Sequence, residues 1–277
     1  CGCLNPDSTH TSVSVAENIF MIMTCQTLSI IRLADATCAI RENVHRTFYE
    51  ETNFLFTNFL PDTSDFLLEG DIVLPKTRNA LKCLNRKFSC LWPKRNGRVE
   101  VPYTLDDKYD QTEKADILRA MKGFEWKTCI RFIPRSRQTG YLSIVPRFGC
   151  SSLVGYLGDK QMVSLQKFGC ITQGIIQHEL LHALGFYHEH TRSDRDYYVT
   201  INWQNVQKNF EFNFQKQDTN NQDAPYDYSS VMHYGRTAFG ARGAETITPY
   251  PDSSVSIGQR ECLSDIDIYK INRLYNC

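Results

Sequence analysis

The short run from His178 to His188 carries three histidines at a spacing that dictates its local structure. His178 and His182 are four residues apart, so on an α-helix they lie one turn apart on the same face. Gly185 tolerates the positive φ of a sharp turn after a helix, and such a turn returns His188 toward the other two rings. Three imidazole nitrogens at one point match a catalytic zinc site, which keeps a fourth position open for water.

Glu179 follows the first histidine directly, so it lies beside the metal without being a ligand. From there it can take a proton from the water on the metal and pass it to a leaving amine. The same stretch also fits an ordinary amphipathic helix with scattered histidines. The glutamate, the glycine and three of the chain's seven histidines in one motif favour the zinc site, in the pattern typical of metzincin peptidases.

A methionine follows in a suitable place for the turn that metzincins form beneath the metal. Met232, in the run SVMHY, would form an apolar floor under the ligands. Tyr234 would reach the zinc or the oxyanion through its phenol oxygen, whereas His233 would be a structural or supporting residue. A tyrosine-rich strand end is the alternative, and the order of the two motifs favours the methionine turn.

The run HELLHALGFYHEHTRSDRD, from His178 to Asp196, agrees with the astacin extension of this motif at every fixed position. The chain resembles the astacin family over residues 79–277, and the string RNALKC is similar to that of the six-cysteine fish hatching enzymes in that family. The resemblance implies an α+β metzincin fold with two lobes, a mixed five-stranded sheet, an active-site helix and one zinc ion. It implies that residues 1–78 are a signal-like and mostly irregular propeptide region, and that residues 79–277 are the peptidase domain.

Eleven cysteines without a C-x-x-C pair indicate an oxidising compartment and disulfides rather than a cysteine-rich zinc module. The resemblance implies three pairs: Cys83 with Cys90, Cys129 with Cys277, and Cys150 with Cys170. It assigns no disulfide to Cys262, where we expect a thiol. It also leaves four cysteines of the first region unassigned: Cys1, Cys3, Cys25 and Cys38.

The segment before residue 79 resembles the latency motif of astacin propeptides, F-x-G-D, whose aspartate takes the water position on zinc. The run here is LEGD, so Asp71 would ligate zinc in the uncleaved chain, and Gly70 would allow its close approach. Leu68 replaces the phenylalanine of the family, and a simple turn is the alternative. Cleavage between Arg78 and Asn79 by a trypsin-like protease would release the mature enzyme from this zymogen.

Two further residue roles follow from the resemblance. Mature astacins bury their new N-terminus near the glutamate after the third ligand, so Glu189 is the expected anchor, with a surface salt bridge as the alternative role. The edge strand of the sheet is expected near Leu153–Leu157, where it would align an extended substrate by strand addition.

Periodicity predicts most of the secondary structure of the peptidase domain. Strands are predicted over residues 99–105, 129–134, 141–146 and 161–165. Helices are predicted over residues 112–127, 171–184 and 264–274, the first with Thr112 as N-cap and the last with Ser264.

Equal numbers of acidic and basic residues, 31 each, give no electrostatic reason to expect nucleic acid as a partner. The apolar stretch Ile19–Ala34 is too short for a membrane span and carries Arg32. It reads either as an altered or internal signal peptide or as an incorrectly assigned first exon.

The expected function is that of a secreted zinc endopeptidase, released directly or from secretory granules. The expected substrates are extracellular proteins, above all the glycoproteins of the egg envelope at hatching. Alternatives are an astacin with an immune or digestive role, an inactive binding module, and a structural zinc protein. The intact Glu179 opposes the binding module, and a structural site would need a fourth protein ligand.

Overall fold

Residues 67–73 and 90–277 are described by the computed structural model, and all of them belong to one structural unit. A second unit, residues 2–59, lies outside the described residues, as does the predicted domain boundary between residues 78 and 79. We call residues 67–73 the prosegment. In the described part of the chain, no helix is long and apolar enough to cross a bilayer.

The described residues form ten strands and three α-helices. The strands are β1 (Leu67–Leu68), β2 (Ile72–Val73), β3 (Lys94–Arg95), β4 (Arg98–Leu105), β5 (Ile130–Pro134), β6 (Tyr141–Val145), β7 (Cys150–Ser152), β8 (Lys160–Leu165), β9 (Val199–Ile201) and β10 (Ile247–Pro249). The helices are α1 (Gln111–Glu125), α2 (Gln173–Ala183) and α3 (Asp265–Tyr275).

Five strands make the expected mixed sheet, in the order β5–β4–β6–β8–β7. Neighbours pair in parallel except β7, which runs antiparallel to β8 at the edge. Three two-residue strands extend this sheet in the described part of the chain: β3 forms a hairpin with β4, and β2 of the β1–β2 hairpin pairs in parallel with β7. The prosegment therefore covers the edge of the sheet.

The expected edge strand at Leu153–Leu157 is wrong, because the edge strand is β7 and the segment after it is irregular. Gly155 adopts a φ of +74°, and its N–H donates to the carbonyl of His182 at 2.9 Å. The N–H of Tyr156 donates to the carbonyl of Cys90 at 2.8 Å. Hydrogen bonds to distant parts of the chain thus hold this segment outside the sheet.

Helix α1 has a different N-cap from the predicted Thr112. Asp110 caps it: its Oδ1 accepts from the N–H of Glu113 at 2.9 Å, and Oε2 of Glu113 accepts from the N–H of Asp110 at 2.8 Å. This reciprocal capping box satisfies two backbone donors, which a threonine inside the first turn cannot do. Helix α3 begins after the predicted cap, Ser264.

Helix α2 is buried along its length after its first residue, and distant side chains bind its C-terminal end. The indole N–H of Trp92 donates to the carbonyl of Ala183 at 2.8 Å, and the hydroxyl of Tyr275 donates to that of Leu184 at 2.9 Å. Carbonyl groups at a helix end lack intrahelical partners, so these bonds fix where the helix stops and how it is oriented.

The described residues form two apolar cores, and the methionine run and last helix, expected in the second lobe, pack into the first core with the sheet. The first packs the sheet against α1, α2 and α3. The second surrounds the β9–β10 pair, with Phe214, Tyr234 and Phe239 among its aromatic members. The C-terminal end of α2, which carries the histidines, lies between elements of the two cores.

Two of the expected disulfides are present. The structure contains Cys129–Cys277 and Cys150–Cys170, with sequence separations of 148 and 20. Cys90 is also disulfide-bonded, and its expected partner, Cys83, lies outside the described residues. The expected thiol at Cys262 is wrong, because this residue is disulfide-bonded as well. The resemblance assigned pairs only within the peptidase domain and had no pattern for a further bridge.

Candidate metal centre

Helix α2 and the turn after it bring the three predicted histidines together. The rings of His178 and His182 have their centroids 4.8 Å apart. Gly185 adopts a φ of +107°, which residues with a side chain rarely adopt, and the chain turns sharply there. The Nε2 atom of His188 consequently lies 3.1 Å from Nε2 of His178. All three rings are buried.

Asp71 of the prosegment lies at the same point. Its Oδ2 is 3.0 Å from Nε2 of His178 and 3.2 Å from Nε2 of His188. Its Oδ1 is 3.4 Å from Nε2 of His182. Four ligands at the usual bond length from a tetrahedral zinc ion lie about 3.3 Å from one another. The four side chains, whose ligand atoms all lie within 4.8 Å of each other, therefore suit a single metal ion.

Several buried polar atoms around this point have no hydrogen-bond partner among the described residues. They are Oδ1 of Asp71, Nε2 of His182 and both carboxylate oxygens of Glu179. Buried polar atoms without a partner are costly and uncommon, so a group of them needs an explanation. Zinc and a water molecule are partners that this set of donors and acceptors fits.

The other nitrogen of each histidine ring has an oxygen partner. Nδ1 of His178 lies 2.8 Å from the carbonyl of Val231, and Nδ1 of His182 lies 2.8 Å from that of Phe186. Nδ1 of His188 lies 2.7 Å from a carboxylate oxygen of Glu69. Because these oxygens accept, each Nδ1 carries a proton, and Nε2 is the atom that can offer a lone pair to a cation at the common point.

Burial and charge act differently on two of the rings. Burial and the nearby Arg260 lower the pKa of His178 to about 3, which keeps this imidazole neutral. Burial also lowers the pKa of His188, but Asp71 and Glu69 outweigh it and raise the pKa to about 9. The two carboxylates therefore make the position of His188 strongly attractive to a cation.

Asp71 and Glu179 have opposite pKa shifts. Burial raises the pKa of Asp71, but the charges of His188 and His182 outweigh it and hold the pKa well below its usual range, so Asp71 is ionised. Burial and the charge of Asp71 raise the pKa of Glu179 well above its usual range. A carboxylate of raised pKa beside a metal is suited to accept and return a proton.

Met232, the residue predicted to form a methionine turn, is bonded to the chain next to the third histidine. Its side chain is buried, its N–H donates to Oγ of Ser230 at 3.0 Å, and its carbonyl accepts from the N–H of Glu189 at 3.0 Å. The turn is therefore bonded directly to the residue that follows the third histidine.

Tyr234 faces the prosegment. Its hydroxyl donates to the backbone carbonyl of Glu69, and its ring stacks on His190 with centroids 3.8 Å apart. Burial and the charges of Asp71 and Glu69 hold the pKa of Tyr234 well above its usual range, so the hydroxyl keeps its proton. Nε2 of the neighbouring His233 lies 2.7 Å from the hydroxyl oxygen of Tyr226, in line with a supporting role.

Glu189 is buried within ion pairs, so the alternative of a surface salt bridge is wrong. Its Oε2 lies 2.5 Å from Nζ of Lys270, and its Oε1 accepts from Arg192 at 3.1 Å and from the N–H of Asp227 at 2.8 Å. These bonds join Glu189, the residue after His188, to α3 and to the loop before the methionine turn. Its expected role as anchor involves Asn79, which lies outside the described residues.

The prosegment crosses the sheet edge beside the histidines. Ile72 pairs with Ser152 of β7, whose N–H donates to the carbonyl of Asp71 at 3.0 Å. Gly70 adopts a φ of +79°, and a Cβ atom there would lie 2.7 Å from the ring of Phe239. A side chain at this position would clash with Phe239, so glycine allows the backbone to bring Asp71 to the histidines.

Several residues that support the site were not predicted from the sequence. Some predicted residues lie where the structure does not test them. The partners Glu69 and Lys270 were not singled out, because no local pattern connects them to the histidines. Arg192 is a fixed position of the astacin extension, but no separate role was assigned to it from the sequence. Arg78 and Asn79, the predicted cleavage site, lie outside the described residues.

Comparison with known proteins adds family evidence to this geometry. The family model described as Astacin, a family of peptidases, matches residues 86–276. The low choriolytic enzyme of Oryzias latipes is 56% identical over 238 residues, which cover 86% of this chain and 88% of that protein. The astacin-like metalloendopeptidase of Gallus gallus is 48% identical over 233 residues, which cover 82% of this chain and 56% of that protein.

A solved structure agrees with the fold. High choriolytic enzyme 1, described as a hatching enzyme zinc-protease from Oryzias latipes, superposes with a TM-score of 0.68 and 52% sequence identity. The match covers 72% of this chain and 100% of that chain.

Proposed function

The chain belongs to the astacin family and is a zinc metalloendopeptidase, and from that premise we propose that His178, His182 and His188 hold its zinc and that Glu179 is its general base. The observation that supports this most is the convergence of three Nε2 atoms, each on a ring whose Nδ1 is already bonded. Such rings have one orientation and one free lone pair, which is what a metal ligand requires.

Zinc, when bound, supplies the Lewis acidity that polarises water and a scissile carbonyl. Glu179 accepts the proton of the attacking water on a carboxylate oxygen and returns it to the nitrogen of the leaving amine. Both carboxylate oxygens of Glu179 have no hydrogen-bond partner among the described residues, so either can take up this proton.

Replacing the base tests this assignment. We expect Glu179→Gln to retain zinc and the fold but to lose about 10²–10⁴-fold in turnover by the trimmed enzyme, since general base catalysis contributes that much. Zinc content by atomic absorption and hydrolysis of a fluorogenic peptide are the measurements. Removal of zinc with a chelator should abolish activity of the wild type. An unchanged rate in the variant would rule out Glu179 as the base.

We also propose that the uncleaved chain is latent, with Asp71 as the fourth zinc ligand. The three distances of 3.0, 3.2 and 3.4 Å from its carboxylate to the histidine nitrogens support this role. The carboxylate would take the position that catalysis needs for water. Cleavage between Arg78 and Asn79 would then remove the block, and the new N-terminus would lie near Glu189.

Latency has a direct test. Asp71→Ala in the uncleaved chain should raise peptidase activity, whereas Asp107→Ala, at a fully exposed aspartate, should leave it low. Equal activity of the two variants would contradict the block. N-terminal sequencing of the secreted, active product should find Asn79 first, and another residue there would move the cleavage site.

For the substrate, we propose proteins of the egg envelope, digested by the secreted mature enzyme. The support is the similarity to proteins named choriolytic enzymes, together with disulfides, which persist in oxidising compartments. The trimmed enzyme should solubilise isolated fish egg envelopes, and the Glu179→Gln variant should not. Activity on casein without any action on envelopes would favour an immune or digestive role.

A further inference from the structure

Glu69 stands out because it is a buried charge on a strained backbone. It lies in the turn between β1 and β2, its exposed fraction is 0%, and its φ is +52°. Residues other than glycine and asparagine adopt this conformation uncommonly, and a carboxylate is rarely buried without a partner. A side chain held under both conditions needs contacts that compensate for them.

The contacts of Glu69 all lead to the metal centre. Its Oε2 accepts from Nδ1 of His188 at 2.7 Å and from the N–H of the same residue at 3.4 Å. Its Oε1 accepts from Nε2 of Gln217 at 2.9 Å, and its backbone carbonyl accepts from the hydroxyl of Tyr234. Carboxylate oxygens that accept from a metal-bound imidazole orient the ring and make it a stronger ligand.

The charges around the histidines change when the prosegment is present. Glu69 and Asp71 place two buried carboxylates beside the histidines, and both would leave with the prosegment. Like charges that are buried together are costly unless a cation offsets them. A divalent cation is therefore bound in a far more negative setting in the uncleaved chain than in the trimmed one.

We propose that the prosegment has a second task beside blocking the site: it retains zinc, with Glu69 as a positioning residue that acts through His188. The inference rests on the proposed zymogen, in which Asp71 is a direct ligand and Glu69 is not. The uncleaved chain releases zinc slowly, and the mature enzyme, having lost both carboxylates, releases it faster.

Zinc transfer to a chromogenic chelator measures this directly, without an activity assay. Purified uncleaved chain, loaded with one zinc ion, is mixed with excess 4-(2-pyridylazo)resorcinol and the absorbance is followed. We expect Glu69→Ala to release zinc about 10–100-fold faster than the wild type, the usual effect of losing such a partner. Glu69→Gln keeps an oxygen acceptor for Nδ1 of His188, so its release should be accelerated less.

Two control measurements accompany the zinc-release assay. After cleavage at Arg78 and removal of the prosegment, the wild-type and Glu69→Ala chains are identical, so their zinc release must coincide. Cobalt substitution of the uncleaved Glu69→Ala chain should still give the absorption of a four-coordinate site, which shows that the variant has folded around the metal.

Two results would overturn the proposal: release from the uncleaved Glu69→Ala chain at the wild-type rate, or release from mature enzyme no faster than from the uncleaved wild type. Asp71→Ala, assayed for peptidase activity in parallel, separates this idea from latency. If Asp71→Ala stays inactive, the proposed block by Asp71 is contradicted. The zinc-release rates of Glu69→Ala and wild type still decide the proposal on zinc retention.

Discussion

Asp267 connects the last helix to the first zinc-binding histidine, and its replacement should be costly. It is buried at the first turn of α3, where Oδ2 accepts from the N–H groups of Val231 and Ser264 at 3.0 Å each. Its Oδ1 accepts from the hydroxyl of Ser230 at 2.6 Å. The carbonyl of Val231 in turn accepts from Nδ1 of His178. One carboxylate thus holds the backbone that orients a ligand.

The size of the effect follows from these three bonds. Each hydrogen bond to a charged group contributes about 1.5–3 kcal/mol, and a buried N–H left unpaired costs about 1–3 kcal/mol. Removing the charge recovers part of that loss, because burial raises the pKa of Asp267 to about 6 and so opposes its ionised form. We expect Asp267→Ala to lower the free energy of unfolding by about 4 kcal/mol, or about 8–16 °C in Tm for a domain of this size.

Asp267→Asn is the matched variant, because its amide can satisfy the same neighbours. The amide oxygen can accept from Val231 and Ser264, and the amide NH₂ can donate to Oγ of Ser230. Its cost should stay below about 1.5 kcal/mol, the net contribution of one hydrogen bond. Urea unfolding at pH 7.5, with zinc in excess and disulfides intact, measures both variants. An Asp267→Ala loss below about 1 kcal/mol, or equal losses in the two variants, would refute this reasoning.

Two further changes probe the acid response and the cross-links. The pKa of buried His233 is lowered from 6.5 to about 4, chiefly by burial, so the unfolded chain binds more protons and stability falls as the pH drops from about 6.5 to about 4. The stability advantage of the wild type over His233→Gln should shrink by about 3 kcal/mol over that range, and an advantage independent of pH would contradict this origin. By the chain-entropy relation, replacing Cys129 and Cys277 with serine should cost about 5 kcal/mol, against about 3 kcal/mol for Cys150 and Cys170. Denaturant unfolding of the two double variants measures these costs, and the reverse order would contradict the relation.

The sequence predicts best what local spacing determines. Helix α2 and the turn at Gly185 follow from a four-residue interval and one glycine, so the convergence of His178, His182 and His188 was foreseeable. The capping box of α3 was foreseeable for the same reason, since its partners are three residues apart. In each case the interacting groups are near neighbours along the chain, and few alternatives compete with them.

Prediction failed where distant groups override a local pattern. The resemblance implied an edge strand near Leu153–Leu157, but the N–H groups of Gly155 and Tyr156 bind carbonyls far away in sequence. Glu69 and His188 are 119 residues apart, and no periodicity connects them. Cys262 was misjudged because cysteine spacing alone does not determine which sulfurs meet.

The oxygens that orient the three histidine rings lie in two different parts of the chain. His178 and His182 depend on the carbonyls of Val231 and Phe186, which lie in the peptidase domain and stay after cleavage. His188 depends on Glu69, which leaves with the prosegment in the proposed activation. The histidine motif contains all three candidate ligands, but it does not contain Glu69, which orients the third ring in the uncleaved chain. In the proposed activation, the bond that orients His188 is therefore the one that cleavage would remove, and its acceptor lies in a segment that the motif does not include.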